Sequence, residues 1–426
     1  GHSHGHSHGH SHGRRNLAGM LDGSVIEAGL KDVVMHEVGH TLGLRHNFKG
    51  STERTKEQLR NADYVDKHGL TSSVMDYLPM NVWAEDFDAA VQPQTLFTPR
   101  IGEYDKWAIR YGYAPVEDES GDLSGLVSQH PKLTAIADKA LAFGTDEDIS
   151  GAEGAEYHTS VFDLSANPTA YYLDQLALAE RLKTSAKERS VFDGEPGTRI
   201  DLGFRAAEST LLFACKYLTK AIGGYLLDKS AKSSDYAPVS AVPASVQETS
   251  LEAILSVLKG EKYYSTASYP LDLKAYAIKA NVDECPNPVE GYCYGVEPVS
   301  AFARRDTRDQ TILDYLLDPA RLERRRDQAW SDGVGSLADY LKRLTDELLS
   351  AEAAAGNPNV AEYLLTLLLL FHDRTDPGEG FLVSGAVATA AYDALNSVSC
   401  ADGRMDFVCH RLLREAFSTP FGPDSG

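Results

Sequence analysis

The sequence predicts a mainly α-helical protein, and three observations carry that expectation. From Asp201 onward, apolar residues recur at helical spacing in segment after segment. The turns between those segments are punctuated by Gly, Pro, Ser or Asn, as at Gly260, Ser268-Tyr269-Pro270, Gly356-Asn357-Pro358 and Pro377-Gly378. No run of alternating β-branched residues is long enough to propose a sheet.

Taken in order, the chain starts with Gly1 to Gly13, in which His alternates with Ser and Gly. This leader has neither a methionine nor an apolar core, so it reads as a tag or cloning product, or else as a natural metal-scavenging tract. A helix is expected around Val25–Leu44, and a charged helical pattern covers Arg54–Asp66. Thr98-Pro99 is a start signal, cap then proline, for a helix through about Arg110. The stretch from Ser120 to Pro196 is mixed. Within it, Asp146, Glu147 and Asp148 are either a calcium-binding cluster or a solvated acidic loop. Helices are then expected over 201–222, 245–259, 308–328, 334–352, 358–372, 382–396 and 404–416, with no fixed-period repeat.

The first of these helices carries the chemistry. His36-Glu37-Val38-Gly39-His40-Thr41-Leu42-Gly43-Leu44-Arg45-His46 is a complete H-E-x-x-H-x-x-G-x-x-H signature. His36 and His40 lie one helical turn apart and can face the same ion. Gly43 can end the helix in a left-handed conformation and turn the chain back, so that His46 supplies a third ligand. Three ligands leave a tetrahedral Zn2+ with an open position, and Glu37 can reach a water there as general base. Downstream, Ser73-Val74-Met75-Asp76-Tyr77 adds a buried-type methionine and a phenol that can donate a hydrogen bond where negative charge develops.

The long signature followed by an S-x-M-x-Y turn resembles the metzincin clan of zinc peptidases. The resemblance implies that Met75 is the Met-turn methionine beneath the imidazoles. It also implies that Tyr77 is the tyrosine that can ligate zinc at rest and swing to bond the tetrahedral oxyanion. A narrower likeness, to large bacterial secreted zinc-dependent metallopeptidases, rests on several segments. Asp32-Val33-Val34-Met35 leads into the zinc helix and His46-Asn47-Phe48-Lys49 follows it. Ile101 to Tyr113, Phe143-Gly144-Thr145-Asp146-Glu147-Asp148, Arg199-Ile200-Asp201-Leu202-Gly203 and Gly223-Gly224-Tyr225 complete the likeness, which is densest over residues 30–115. It implies a metzincin-type zinc helix and Met-turn subdomain followed by an irregular helical domain. The expected divisions are the leader at 1–13, a zinc-binding subdomain at 14–135 and a mostly helical domain at 136–426.

The expected function is a secreted or periplasmic zinc endopeptidase acting on a peptide or protein. Its metal ligands are His36, His40 and His46, its catalytic residues Glu37 and Tyr77, and Met75 is structural. Arg45, Asn47 and Asp76 lie nearby without an assigned role. Only Arg14 to Leu30 separate the leader from the signature, too few for the substrate-binding sheet that metzincins place ahead of the zinc helix. The chain is therefore expected to be the carboxy-terminal part of a longer protein, with the missing amino-terminal part as a partner. The alternative is an inactive, zinc-bearing helical binding module that docks that part or another protein.

Composition narrows the field. The 426 residues, 42% of them hydrophobic, suffice for more than one core, and a net charge of −21 disfavours a nucleic acid or an anionic membrane as partner. The longest apolar run, Leu364 to Phe371, is interrupted by Thr366 and far too short to span a bilayer; it reads as a buried helix. Cys285 with Cys293 and Cys400 with Cys409 are spaced either for two local disulfides or as reduced thiols, and Cys215 reads as a buried thiol. His68, His130, His158, His372 and His410 are scattered and read as non-ligands.

Overall fold

The computed structural model describes residues 23–86, 93–113, 142–149, 154–189, 199–229, 238–259, 301–350, 358–373 and 384–398. Among them the protein is mainly helical, as expected. The first helix, α1, spans Gly23–Thr41. It ends where Gly43 takes φ +80°. The Leu44 amide then donates to the Gly39 carbonyl and the Gly43 amide to that of His40, a paired closure that satisfies the last orphan carbonyls. The glycine was legible as a stop signal, and it acts as one.

The charged segment at 54–66 is two short helices rather than one. These are α2, Lys56–Leu59, capped by Thr55, and α3, Ala62–His68, capped by the Asn61 side chain accepting from the Tyr64 amide. Asn61 competes for the backbone locally, and this restarts the helix instead of continuing it. After the single turn α4, Pro93–Leu96, comes α5, Glu103–Tyr113, which begins later than Thr98-Pro99 predicts. Thr98 does not cap it. Its hydroxyl accepts from the Leu70 amide instead, and the Gly102 amide is held by Asp105.

The mixed region contains a long helix, α6, Pro168–Arg189, whose first turn is capped by Asn167 Oδ1 accepting from the Ala170 amide. It packs along α7, Arg199–Leu218. A two-stranded antiparallel hairpin follows, β1 Tyr225–Leu227 and β2 Val239–Ala241, too short to leave an alternating pattern in the sequence. Then come α8, Ala244–Lys259, α9, Ala301–Leu316, and α10, Pro319–Ser331. The single helix expected over 308–328 is broken by Asp318-Pro319, in which Asp318 caps and the proline opens α10. Serine caps at Ser336 and Ser384 start α11, Leu337–Leu348, and α13, Gly385–Asn396, on either side of α12, Pro358–Asp373.

One large apolar core joins these layers. Leu59, Val65 and Leu70 of the zinc-signature end pack into the same cluster as Tyr172 and Leu176 of α6, Leu218 of α7 and Ile254 of α8. The run Leu364 to Phe371 lies in α12, with Leu364, Leu365 and Leu368 fully buried. Cys215 is free and buried, and burial pushes its thiol up to about 12. Cys285, Cys293, Cys400, Cys409, His130, His410, the leader and the helix expected at 404–416 lie outside the described residues. No described helix is long and apolar enough to cross a membrane.

Candidate metal centre

Helix α1 presents His36, Glu37 and His40, and the turn after Gly43 brings back His46. One ring nitrogen from each of His36, His40 and His46 can be chosen so that all three lie within 4.8 Å of one another. Each imidazole spends its Nδ1 on an oxygen acceptor. His36 Nδ1 is 2.7 Å from the Val74 carbonyl, His40 Nδ1 3.0 Å from the Leu44 carbonyl, and His46 Nδ1 2.8 Å from Asp146 Oδ1. A carbonyl can only accept, so Nδ1 carries the proton in the first two rings and Nε2 keeps its lone pair. A carboxylate imposes the same tautomer on the third. His46 Nε2 is buried without a hydrogen-bond partner, as a ligand atom waiting for a cation would be. Burial, the largest cause, holds the His36 pKa below its ordinary value, and a neutral imidazole is what metal binding requires. These residues fit a zinc ion. Among the described residues no other group of His, Cys, Asp or Glu side chains gathers in this way. His68 instead stacks on Tyr64.

Beneath the helix lies the turn Ser73-Val74-Met75. Met75 is fully buried, and its sulfur sits where a Cβ on Gly39 would be, 2.2 Å away. Only glycine lets α1 settle this close to the methionine. The turn is fastened by Asp105 of α5. Its Oδ1 accepts from Ser73 Oγ at 2.6 Å, and its Oδ2 accepts from the amides of Val74 at 2.8 Å and Gly102 at 2.9 Å. Asp105 therefore holds, through its amide, the same residue whose carbonyl orients His36.

Tyr77 stands at the open side, 39% exposed, with its ring centroid 4.7 Å from that of His46 and 5.2 Å from that of His36. Phe162 lines up beside it in a left-handed conformation, φ +58°, its amide donating to the Tyr77 carbonyl at 2.7 Å. Phe48 stacks on His46. Glu37 is exposed.

The three neighbours without an assigned role each tie one part of the site to another segment. Asn47 and Arg45 both hold the loop at 142–149: Asn47 Oδ1 accepts from the Gly144 amide, and Arg45 Nη2 reaches Asp146 and Glu147. Asp76 is buried behind Tyr77 and shares Ser51 with Asp163. The Ser51 amide donates to Asp76 Oδ2 at 2.8 Å and its hydroxyl to Asp163 Oδ1 at 2.9 Å. Burial and mutual repulsion raise the Asp76 carboxyl well above its ordinary value, and burial pushes Asp163 up to about 7.

Comparison with known families decides what this arrangement belongs to: residues 19–356 match the Met-zincin family. The chain belongs to the Met-zincin family. That makes it a member of a metzincin-type zinc metallopeptidase group, in agreement with the resemblance carried by its signature. No curated protein and no solved structure matches it. Two residues of this Met-zincin chain escape sequence reasoning. Asp105 lay inside Ile101 to Tyr113 but was indistinguishable from a solvated helical aspartate. Asp146 lay inside an acidic run that suggested calcium or solvent, whereas its carboxylate faces His46.

Proposed function

We propose that this chain is a zinc-dependent endopeptidase whose metal is held by His36, His40 and His46. The reading is carried by the gathering of one ring nitrogen from each histidine within 4.8 Å, together with the shared Nδ1 pattern that leaves each Nε2 its lone pair. Zinc, when bound, would polarise a scissile carbonyl and acidify water at its open position. Glu37, one residue from His36 and exposed, would serve as the general base, its carboxylate accepting a proton from the attacking water and returning it to the leaving amine. Tyr77 donates its phenolic hydrogen toward the developing oxyanion. Met75 does no chemistry; as a Met-turn residue it forms the floor against Gly39. The sequence likeness to secreted metallopeptidases supports a secreted or periplasmic location.

A second observation favours a docked polypeptide completing the cleft. Ile26, Leu30, Val33, Val34 and Val38 of α1 are about half exposed or more, between 49% and 61%. Their spacing places Ile26, Leu30, Val33 and Val34 on the same helical face as Glu37. Soluble proteins rarely leave such a stripe uncovered. A polypeptide covering this stripe, either an amino-terminal part of a longer parent protein or a partner protein, would add a wall on the Glu37 side of the site. In that case the isolated chain is a zinc-bearing module without turnover.

The test is cleavage of a mixed peptide library, read by mass spectrometry, with zinc-loaded protein beside Glu37→Ala. Cleavage that disappears in the variant supports the endopeptidase. No cleavage at full zinc occupancy supports the docking reading.

A further inference from the structure

We infer that Asp146 is the positioning residue for His46, fixing its ring and strengthening it as a metal ligand. The inference rests on the proposed assignment of His36, His40 and His46 to zinc.

The three imidazoles are not held alike. His36 and His40 are carried by a rigid helix, and their Nδ1 atoms bond to neutral carbonyls. His46 follows the helix end, in a segment without regular structure, and so needs an outside partner. That partner is a carboxylate a hundred positions along the chain, at 2.8 Å. A charge-assisted hydrogen bond of this kind is stronger than one to a carbonyl, and it raises the donor ring's basicity toward a metal.

The carboxylate is itself held on both oxygens. While Oδ1 faces His46, Oδ2 accepts from Arg45 Nη2 at 3.3 Å and Thr145 Oγ1 at 3.2 Å. Arg45 is steadied in turn by Glu147 at 2.9 Å. The loop bearing Asp146 is laid against the ligand segment by backbone and amide bonds. The Phe48 amide donates to the Gly144 carbonyl at 2.7 Å, and Asn47 bonds both the Ala142 carbonyl and the Gly144 amide. Two segments distant in sequence are thus locked together at the one imidazole that α1 does not carry.

A surface ion-pair cluster made only for stability is the rival explanation, and exposure separates the two. Arg45 and Asp146 are 60% and 49% exposed, and pairs this open contribute little to folding. Loss of the carboxylate should therefore show in metal binding and barely in stability.

The experiment measures zinc affinity of the full chain by competition with a fluorescent chelator. His40→Ala separates the site from the histidine-rich leader, and metal-free thermal midpoints are recorded for every variant. Asp146→Ala is expected to weaken the site about 10- to 100-fold, as loss of an outer partner does elsewhere. Asp146→Asn, which keeps an acceptor and loses the charge, should recover part of that loss. Glu147→Ala, which acts on Asp146 through Arg45, should weaken the site far less than Asp146→Ala, and all midpoints should stay close to wild type. Wild-type affinity in Asp146→Ala overturns the inference, as does an equal loss in Glu147→Ala. If His40→Ala removes no tight zinc from the wild-type chain, the zinc assignment itself fails and the inference falls with it.

Discussion

Replacing Gly39 by alanine puts a methyl group into the sulfur of Met75. The clash distance is 2.2 Å, whereas carbon atoms in contact settle at about 3.5–4.0 Å, so helix or sulfur must move by well over an ångström. Met75 is fully buried, which leaves it little room to yield. Overpacking of this kind costs about 1–3 kcal/mol. The exchange of glycine for alanine within a helix returns about 1 kcal/mol. Gly39→Ala should therefore destabilise the fold by about 0–2 kcal/mol on these two figures. Met75→Ala alone leaves a void and should cost about 2–5 kcal/mol. In the double variant the new methyl enters the space the methionine vacated. The overpacking penalty then vanishes, and the pair should be more stable than the sum of the singles by about 1–3 kcal/mol. Urea denaturation of the metal-free wild type, both singles and the double variant measures this coupling. Additivity within about 0.5 kcal/mol would refute the claim that Gly39 exists to admit Met75.

Three further outcomes follow from the same geometry. Asp105→Ala strips the acceptor from two buried backbone amides and the Ser73 hydroxyl, and should cost about 2–4 kcal/mol in chemical denaturation; a loss no larger than that of an exposed aspartate would show that the turn holds itself. Asp163 has a folded pKa of about 7 against an ordinary 3.8, so its stabilising contribution is full below pH 3.8 and lost as pH rises through about 7. Wild-type urea midpoints should fall across that window and Asp163→Asn should flatten the fall, whereas an unchanged slope would contradict the assignment. Tyr77→Phe should lower kcat by about a hundredfold while leaving zinc affinity in place, and a matched loss of zinc would make the phenol a ligand instead.

What could be read from the sequence followed the range of the interactions involved. The gathering of His36, His40 and His46 around the Gly43 stop was legible because their relation is local: one helical turn, one left-handed stop and a short return. The helices described after Asp201 were legible because they carry periodic apolar faces toward a common core. Boundaries were lost where a cap competes with periodicity, as at Asn61 and Asp318-Pro319. The long helix at Pro168–Arg189 was missed although Asn167-Pro168 marks its start, because the segment around it is compositionally mixed. The residues that organise the site were hidden for a different reason. Asp105 reaches the Met75 turn from about thirty residues downstream, and Asp146 reaches His46 from a hundred. Asp163 and Asp76 are joined by hydrogen bonds through Ser51, which lies 112 residues from Asp163 in sequence. A carboxylate in a loop looks the same whether it faces water or an imidazole until the tertiary contacts are known.

Zinc X-ray absorption on the full chain reads whether His36, His40 and His46 bring their Nε2 atoms to one zinc ion. At one equivalent of zinc, three imidazole nitrogens are expected at about 2.0–2.1 Å with a remaining oxygen position, and that signature is expected to be lost in His40→Ala. An unchanged spectrum in His40→Ala would place the metal elsewhere and overturn the assignment of these three ligands.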